Sequence, residues 1–303
     1  MDDAAAVKTA LIGDIGRHRI GDGPGIRTVV FFKGCPLHCP WCHNPEFIAP
    51  RAELALYPNR CIMCGDCVDI CPQRAIKKNG VIEVDRSACD CCGQCAAICP
   101  AGALAIVGAA WSVEQLIDVL LRDLLYYQVS GGGVTLSGGE PTMQMEFAGK
   151  LLQRLRQEHI HTAIETSGFF RWDDFAAQLL PWLDLVLFDL KPVDSRRHAK
   201  VTGRGNEKIL ENLEKIVRGG HDVVVRIPLI PGFTADRENL VGLAAEMKRI
   251  GVQKCSLLAY HALGKSKAAA VGRVVDPSLP DKQMTRAEVD GRQRYFTEFE
   301  LIS

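Results

Sequence analysis

The sequence lacks an excess of charge of either sign, because 36 Lys and Arg residues balance 36 Asp and Glu residues in 303 positions. No overall field therefore draws the chain to nucleic acid or to an anionic membrane. The sequence also lacks an apolar run long enough to span a bilayer, and its acidic start, residues 1–8, has no secretory signal pattern. We expect a monomeric cytoplasmic protein that binds neither nucleic acid nor membrane.

Cysteine, in contrast, is abundant and clustered. Twelve of the 13 cysteines lie between residues 35 and 99 at short, regular spacings. Disulfides would suit a small secreted chain, whereas in a reducing compartment this density is typical of metal binding. The remaining cysteine, Cys255, lies in a predicted core strand, where we expect it to be a small buried apolar residue.

Helical patterns alternate with short β-branched runs from residue 111 onward, at a spacing of roughly thirty residues that is typical of βα units. Several predicted helices begin at capping residues, namely Ser112, Asn206 and Asp236. Strands of this kind lie parallel, with the helices outside the sheet. The predicted strands are 28–33, 133–136, 161–165, 184–188, 222–227 and 254–258, and the predicted helices are 112–128, 143–158, 172–180, 206–218 and 236–250.

One segment interrupts this alternation. Residues 49–110, rich in Cys, Pro and Gly, replace the crossover expected after the first strand. We interpret them as an inserted domain, so that 1–48 and 111–303 form the barrel. Within the insert, 61–72 and 89–100 repeat with a period of 28 residues. Two copies are too few for a solenoid, and they indicate a duplicated module.

Each copy reads C-x2-C-x2-C-x3-C-P, a spacing that resembles a bacterial ferredoxin with two [4Fe–4S] clusters. The fourth cysteine of such a run usually binds the neighbouring cluster. Structural zinc is the alternative, although zinc favours pairs of C-x2-C separated by a longer loop. Cys91 falls outside the pattern and is not expected to be a ligand. The predicted ligand sets are Cys61, Cys64, Cys67 and Cys99 for one cluster and Cys71, Cys89, Cys92 and Cys95 for the other.

A third cysteine motif directly follows the first predicted strand. Cys35, Cys39 and Cys42 are spaced C-x3-C-x2-C, with no fourth cysteine close by. Three thiolates on a four-iron cube leave one iron open, and an open metal position is where chemistry occurs. A zinc site completed by His38 or His43 is the alternative. The motif lies at the carboxyl end of a barrel strand, where such folds build active sites.

These motifs resemble the radical SAM superfamily and, within it, the activating enzymes of glycyl radical enzymes. The cysteine loop with Trp41 is similar to the superfamily's cluster loop, and residues 22–27 resemble the subgroup's signature. The resemblance implies an α/β fold, a partial (β/α)6 TIM-like barrel, here with an inserted ferredoxin-like domain. It also implies S-adenosylmethionine bound to the open iron, and flavodoxin or ferredoxin as electron donor.

In this family, one electron splits S-adenosylmethionine into methionine and a 5′-deoxyadenosyl radical, which removes a hydrogen atom from a glycine of a partner glycyl radical enzyme. The resemblance thus implies three [4Fe–4S] clusters in this chain. The activator of pyruvate formate-lyase lacks a two-cluster insert, so we expect another glycyl radical enzyme as the partner.

The resemblance also assigns the loops that follow the other strands. It places the methionyl end of the cofactor at the Gly-rich turn after the second strand, where Glu140 could accept from an ammonium group. A monovalent cation site near Glu165, Thr166 and Asp189 is a further implication. The cofactor-binding residues implied are Trp41, Cys42, His43, Asn44, Gly138, Gly139, Glu140, Glu165, Asp189, Lys191, Arg226 and His261.

The segment before the first strand has a plain explanation as a turn, because Pro24 and Gly25 suit the second and third positions of type II. A turn does not explain the charged residues around it. We expect this loop to receive the partner's glycyl loop. The predicted partner-binding residues are Asp22, Gly23, Pro24, Gly25 and Arg27.

Two other functions are compatible with parts of the sequence. A radical SAM enzyme acting on a small molecule shares the cluster loop but does not account for residues 22–27. A ferredoxin-like electron carrier with a regulatory barrel leaves Cys35, Cys39 and Cys42 unexplained.

Overall fold

The computed structural model describes residues 9–302, which form strands and helices in alternation. The strands are β1 (Ala10–Arg19), β2 (Arg27–Phe32), β3 (Glu53–Leu56), β4 (Ile76–Lys78), β5 (Ile82–Val84), β6 (Leu104–Val107), β7 (Ala109–Trp111), β8 (Gly133–Gly138), β9 (His161–Thr166), β10 (Leu185–Asp189), β11 (Val223–Leu229), β12 (Lys254–Ala259) and β13 (Glu300–Leu301). The helices are α1 (Asp66–Asp69), α2 (Gln94–Ile98), α3 (Val113–Leu120), α4 (Leu124–Ser130), α5 (Met145–Gln157), α6 (Trp172–Gln178), α7 (Ser195–Thr202), α8 (Glu207–Arg218), α9 (Arg237–Ile250), α10 (Leu263–Ala270) and α11 (Arg286–Gln293).

One large sheet organises the chain, in the order β13-β12-β11-β10-β9-β8-β2-β1-β7. The six predicted strands, β2 and β8 to β12, are adjacent and parallel, which confirms the predicted α/β fold with a parallel sheet. Every residue of β2 is buried, as expected for a parallel strand covered on both faces. None of the helices described within residues 9–302 has the length and apolarity needed to cross a membrane.

The predicted helices are present with small changes. A 3-10 turn, Leu121–Asp123, divides the first one into α3 and α4. Ser112 and Asp236 cap α3 and α9 through their side chains, as predicted. Asn206 precedes α8 but does not cap it, because its amide donates to the carbonyl oxygens of Pro192 (3.1 Å) and Val193 (2.7 Å).

An antiparallel edge was not predicted. β1 pairs with β2, and β7 pairs with β1. A fully buried carboxylate, Asp123, fastens this edge, since it accepts from Arg17 Nε (2.8 Å) and Thr28 Oγ1 (2.7 Å). Residues 109 and 110, expected in the insert, belong to β7 instead, so the insert ends at Gly108.

The insert contains two small antiparallel sheets, β3-β6 and β4-β5, and the short helices α1 and α2. The period of 28 residues recurs in its fold, because α1 and α2 begin 28 residues apart, at Asp66 and Gln94. Met63 and Cys91 occupy equivalent positions in the repeat and share a left-handed backbone, with φ of 58° and 59°. The insert is therefore duplicated in structure as well as in sequence.

Candidate active site

The cysteine loop leaves the carboxyl end of β2 and is held by backbone hydrogen bonds. The amides of Gly34 and Cys35 donate to the carbonyl oxygens of Phe47 (2.8 Å) and Ile48 (3.0 Å). His38 N donates to Thr202 O (2.9 Å) at the end of α7. These bonds fix the loop at the end of the sheet where parallel α/β folds place their active sites.

The three thiols of this loop lie in one electrostatic environment. Burial raises the pKa of Cys35, of Cys39 and of Cys42, the last to about 12. Lys191 acts in the opposite direction on Cys39 and Cys42. Three half-buried thiols on one loop, beside a fixed cation, suit a metal cluster that takes thiolates and leaves one iron open.

The two histidines that could have completed a zinc site have other contacts. His38 Nδ1 lies against Gly203 at the end of α7, 3.7 Å from the position of a Cβ there. The His43 ring packs edge-on against His261, with the ring centroids 3.9 Å apart. Burial, followed by His261, lowers the pKa of His43 to about 4, so that this ring is neutral near pH 7.

The loop opens into a large cavity of about 3850 Å³, a volume that includes its part open to solvent. The carboxyl ends of the parallel strands form its floor. Of the predicted site residues outside the insert, all but Arg27 and Glu140 line it. Those that line it are Asp22, Gly23, Pro24, Gly25, Cys35, Cys39, Trp41, Cys42, His43, Asn44, Gly138, Gly139, Glu165, Asp189, Lys191, Arg226 and His261.

A row of alternating charges crosses the cavity floor. Arg226 on β11 donates to Glu165 on β9 and, through Nε, to Asp189 on β10 (2.8 Å). Lys191 Nζ lies 3.5 Å from Asp189, and Ser137 Oγ donates to Glu165. Burial alone would lower the pKa of Arg226, but the two carboxylates outweigh it and raise that pKa. The row holds fixed charges of both signs, which fits a zwitterionic amino-acid group.

The same row accounts for the residues that we expected to hold a monovalent cation. Arg226 already lies between Glu165 and Asp189, and Thr166 Oγ1 donates to Glu140 (2.9 Å). The protein itself therefore places a positive charge between these two carboxylates.

One buried polar atom on the opposite wall has no partner among the described residues. This atom, Nδ1 of His261, lies next to the His43 ring at the cavity. Nearby, Lys267 Nζ donates to Asn44 Oδ1 (2.7 Å) and holds the end of the cysteine loop. An unpartnered ring nitrogen beside the cavity leaves a hydrogen-bonding position for a polar ligand.

Two smaller cavities lie in the insert. One, of about 370 Å³, is lined by the predicted set Cys61, Cys64, Cys67 and Cys99, and we name it the first insert site. The other, of about 320 Å³, is lined by the predicted set Cys71, Cys89, Cys92 and Cys95, and we name it the second insert site.

Backbone amides point at sulfur atoms in both insert sites. Ala75 N donates to Cys71 Sγ and Ala103 N to Cys99 Sγ, each at 3.3 Å. Burial works to raise the pKa of Cys99, but several backbone amides outweigh it and lower that pKa. Hydrogen bonds to sulfur are typical of iron–sulfur ligands, so the residues present fit clusters at both sites.

Comparisons with known proteins identify the family. Residues 89–244 match the radical SAM superfamily, and residues 55–77 match a 4Fe-4S binding domain. The isethionate sulfite-lyase activating enzyme of Nitratidesulfovibrio vulgaris is 43% identical over 267 residues, which cover 86% of this chain and 86% of the relative. The chain belongs to the radical SAM activating enzymes, which act on glycyl radical enzymes.

Two further comparisons agree with this assignment. The benzylsuccinate synthase activating enzyme of Thauera aromatica is 41% identical over 275 residues, 88% of this chain and 83% of the relative. A radical SAM methyltransferase from Sphaerobacter thermophilus shares the fold, with a TM-score of 0.50 and 12% identity over 97% of this chain and 76% of that one. An iron–sulfur cluster and S-adenosylmethionine are therefore cofactors of this activating enzyme.

Glu140 does not line the cavity of this activating enzyme, contrary to expectation. It is 1% exposed, and its carboxylate accepts from Thr166 Oγ1 (2.9 Å) and from Ser167 N (2.9 Å) and Oγ (2.7 Å). Through these bonds Glu140 ties the loop after β8 to the loop after β9.

The two glycines before Glu140 are required by the protein backbone itself. A Cβ on Gly138 would lie 2.4 Å from the backbone of Phe32, and one on Gly139 would lie 2.1 Å from the carbonyl oxygen of Gly34. Both glycines line the cavity, and on their other side they pack closely against β2 and the cysteine loop.

The loop at 22–25 borders the cavity and rests on buried groups. Gly25 (φ +66°) packs against the backbone of Gly132, where a Cβ would lie 2.5 Å from an amide nitrogen. Arg27 is fully buried and donates to Thr135 Oγ1 (2.6 Å) and Pro24 O (3.2 Å). The expectation that Arg27 contacts the partner is therefore wrong, since this residue supports the loop from beneath.

Substitution of Gly139 tests the close backbone contact. Gly139→Ala should lower the free energy of unfolding by about 1–3 kcal/mol, because its methyl group overlaps backbone atoms that cannot rotate away. Gly291→Ala is the matched control, since Gly291 lies in α11 with nothing within 4 Å of a Cβ and should gain up to ~1 kcal/mol. Anaerobic denaturant unfolding measures both, and equal stability of the two variants would contradict this account.

Asp22 supplies a pH-dependent test. Burial, followed by Glu165, raises the pKa of this carboxyl to about 6. A raised pKa means that the folded state favours the protonated form, so its stabilising contribution is present at low pH and is lost as the pH rises through about 6. The free energy of unfolding, measured from pH 4 to 7, should fall for wild type relative to Asp22→Asn. Parallel curves of this free energy against pH for the two proteins would contradict the raised pKa.

Proposed function

We propose that this activating enzyme holds a [4Fe–4S] cluster on Cys35, Cys39 and Cys42, binds S-adenosylmethionine at the open iron, and generates a radical that removes a hydrogen atom from a glycine of its partner. The observation that supports this most is that the three thiols and the charge row of Glu165, Arg226, Asp189 and Lys191 line one cavity.

When bound, the cluster supplies one electron that splits the sulfonium of S-adenosylmethionine into methionine and a 5′-deoxyadenosyl radical. The side chains of the chain itself bind and orient the cofactor. Lys191 and Arg226 present donors to a carboxylate, and Asp189 presents acceptors to an ammonium group. His261 Nδ1, which has no partner within residues 9–302, is placed to bond a further polar group of the cofactor.

The cavity also has to admit a segment of another protein. The loop at 22–25 borders it, and Ile20, beside this loop, is 80% exposed. A glycine that loses hydrogen from its α-carbon has to enter as extended backbone, and the open cavity mouth provides room for this. We assign Asp22, Gly23, Pro24 and Gly25 to partner contact, with Arg27 as their support.

The insert sites bring the proposed number of [4Fe–4S] clusters to three. Their electrons come from a flavodoxin or a ferredoxin, and the enzyme acts as a monomer in the cytoplasm. We propose a glycyl radical enzyme other than pyruvate formate-lyase as the partner. The two relatives described above are activating enzymes of a sulfite-lyase and of a synthase, and their identities to this chain are nearly equal. These identities therefore do not indicate which reaction the partner catalyses.

Anaerobic reconstitution followed by reduction tests the cluster assignment. Iron should reach about twelve atoms per chain, three cubes of four, with reductive formation of 5′-deoxyadenosine. Cys42→Ala should abolish this product because it removes a ligand of the open cluster, whereas Cys64→Ala should retain it at a lower rate. Iron near four per chain would refute the insert clusters, and product formed by Cys42→Ala would refute the assignment of the open one.

A further inference from the structure

The β3-β6 ribbon of the insert has two different faces. Ala55 and Val107 belong to an apolar cluster with Val29 and Phe31 of β2. Leu54, Leu56, Leu104 and Ile106 point the other way, into the cluster that contains the insert cysteines. Because side chains alternate along a strand, the ribbon is a wall between the barrel and the two insert sites.

The ribbon is fixed to the barrel by buried charge as well as by apolar contact. Glu53 at its start accepts from Lys33 Nζ (2.9 Å), and the Lys33 side chain is fully buried. Lys33 also donates to Glu46 O (2.7 Å) and stands two residues before Cys35. One buried cation thus joins the insert to both ends of the cysteine loop, so the insert is docked in a defined position.

The register of the ribbon orders the two insert sites. Leu54 pairs with Ile106, and both line the second insert site. Leu56 pairs with Leu104, and both line the first insert site. The Glu53 end of the ribbon is the end attached to the barrel. The second insert site is therefore closer to the barrel than the first insert site by two residues along the ribbon, about 7 Å.

Arg86 connects the second insert site to the barrel. It donates to Leu54 O (2.6 Å) on the ribbon and to Ala270 O (2.7 Å) at the end of α10. Burial lowers the pKa of Arg86, while Glu53, followed by Cys89 and Cys91 at the second insert site, acts to raise it. The guanidinium is packed against Gly272, where a Cβ would lie 2.1 Å from Nε.

The helix that Arg86 contacts begins at the catalytic cysteine loop. A Cβ on Gly264, in the first turn of α10, would lie 2.3 Å from Cys42 O. From Gly264 to Ala270 the helix rises about 9 Å. A single short helix therefore spans the distance between the cysteine loop and the residue that supports the second insert site.

We infer that the second insert site is the one electronically coupled to the cluster on Cys35, Cys39 and Cys42, and that Arg86 is the positioning residue that sets their separation. This rests on the proposed three clusters. A transfer between them moves one electron, oxidising one cluster and reducing the other, with no bond made or broken. The electron comes from a flavodoxin-type or ferredoxin-type carrier.

Magnetic coupling between reduced clusters tests this order without an activity assay. Cys64→Ser and Cys92→Ser are a matched pair, because the two exposed cysteines are equivalent in the repeat and belong to the first and second insert sites. In fully reduced protein, the electron paramagnetic resonance signal of the open cluster should relax several-fold more slowly in Cys92→Ser than in Cys64→Ser, because dipolar coupling falls steeply with distance. The reverse order, or equal relaxation, would overturn the inference.

A second measurement keeps all cysteines, in case a cysteine variant loses both insert clusters. Arg86→Gln removes a cation from the second insert site, and Lys78→Gln removes one from the first, where Lys78 Nζ donates to Met63 O (2.7 Å). Loss of positive charge lowers a cluster's reduction potential. In a redox titration, Arg86→Gln should lower the reduction potential of one insert cluster, the one whose reduction broadens the open cluster's signal. Lys78→Gln should lower the reduction potential of the other insert cluster.

The opposite pairing of variant and cluster would overturn the inference, as would an Arg86→Gln protein in which neither potential moves. Iron content separates this failure from that of the proposed function. Iron of about twelve per chain with the wrong pairing refutes only the order of the sites, whereas iron near four refutes the insert clusters themselves.

Discussion

Backbone hydrogen bonds around Gly34 hold the catalytic loop in place. Gly34 donates to Phe47 O (2.8 Å) and accepts from Glu140 N (2.7 Å), while Gly139 donates to Phe32 O (2.8 Å). The end of β2, the turn after β8 and the chain entering the insert therefore meet within backbone contact. This contact requires glycine at position 139, because there is no room for a Cβ. It fixes both the position of the three cysteines and the point where the insert begins.

The chain as a whole is neutral, but charged side chains are ordered locally at the cavity floor. The cavity floor carries two cations and two anions that bond one another across β9, β10 and β11, so no net charge is buried there. Removing one of these charges would leave its partner buried and unpaired, which is costly. The intact row holds each charge in place before any ligand binds. It suits a cofactor that is itself zwitterionic.

Local patterns predicted the parallel sheet because each βα unit carries its own periodicity. They also grouped eight insert cysteines as the two cavities do, since the fourth cysteine of each run lines the other run's cavity, but Cys91, which was not expected to be a ligand, lines the second cavity too. The edge strands β7 and β13 were not predicted, because each is stabilised by a partner distant in sequence. The hairpin strand β1, between β2 and β7, was also missed. The contacts of Glu140 and Arg27 could not be predicted for a similar reason, because their hydrogen-bond partners come from other strands and loops. Only the folded chain shows that protein groups already bond to these two side chains.

The central claim is that the radical made in the cavity ends on a glycine of another enzyme. Electron paramagnetic resonance of purified glycyl radical enzymes, isethionate sulfite-lyase among them, tests it after anaerobic incubation with this protein, S-adenosylmethionine and a reductant. The account predicts a glycyl radical signal in a partner, dependent on Cys42. Consumption of S-adenosylmethionine with no such signal in any partner, accompanied by a modified small molecule, would contradict it.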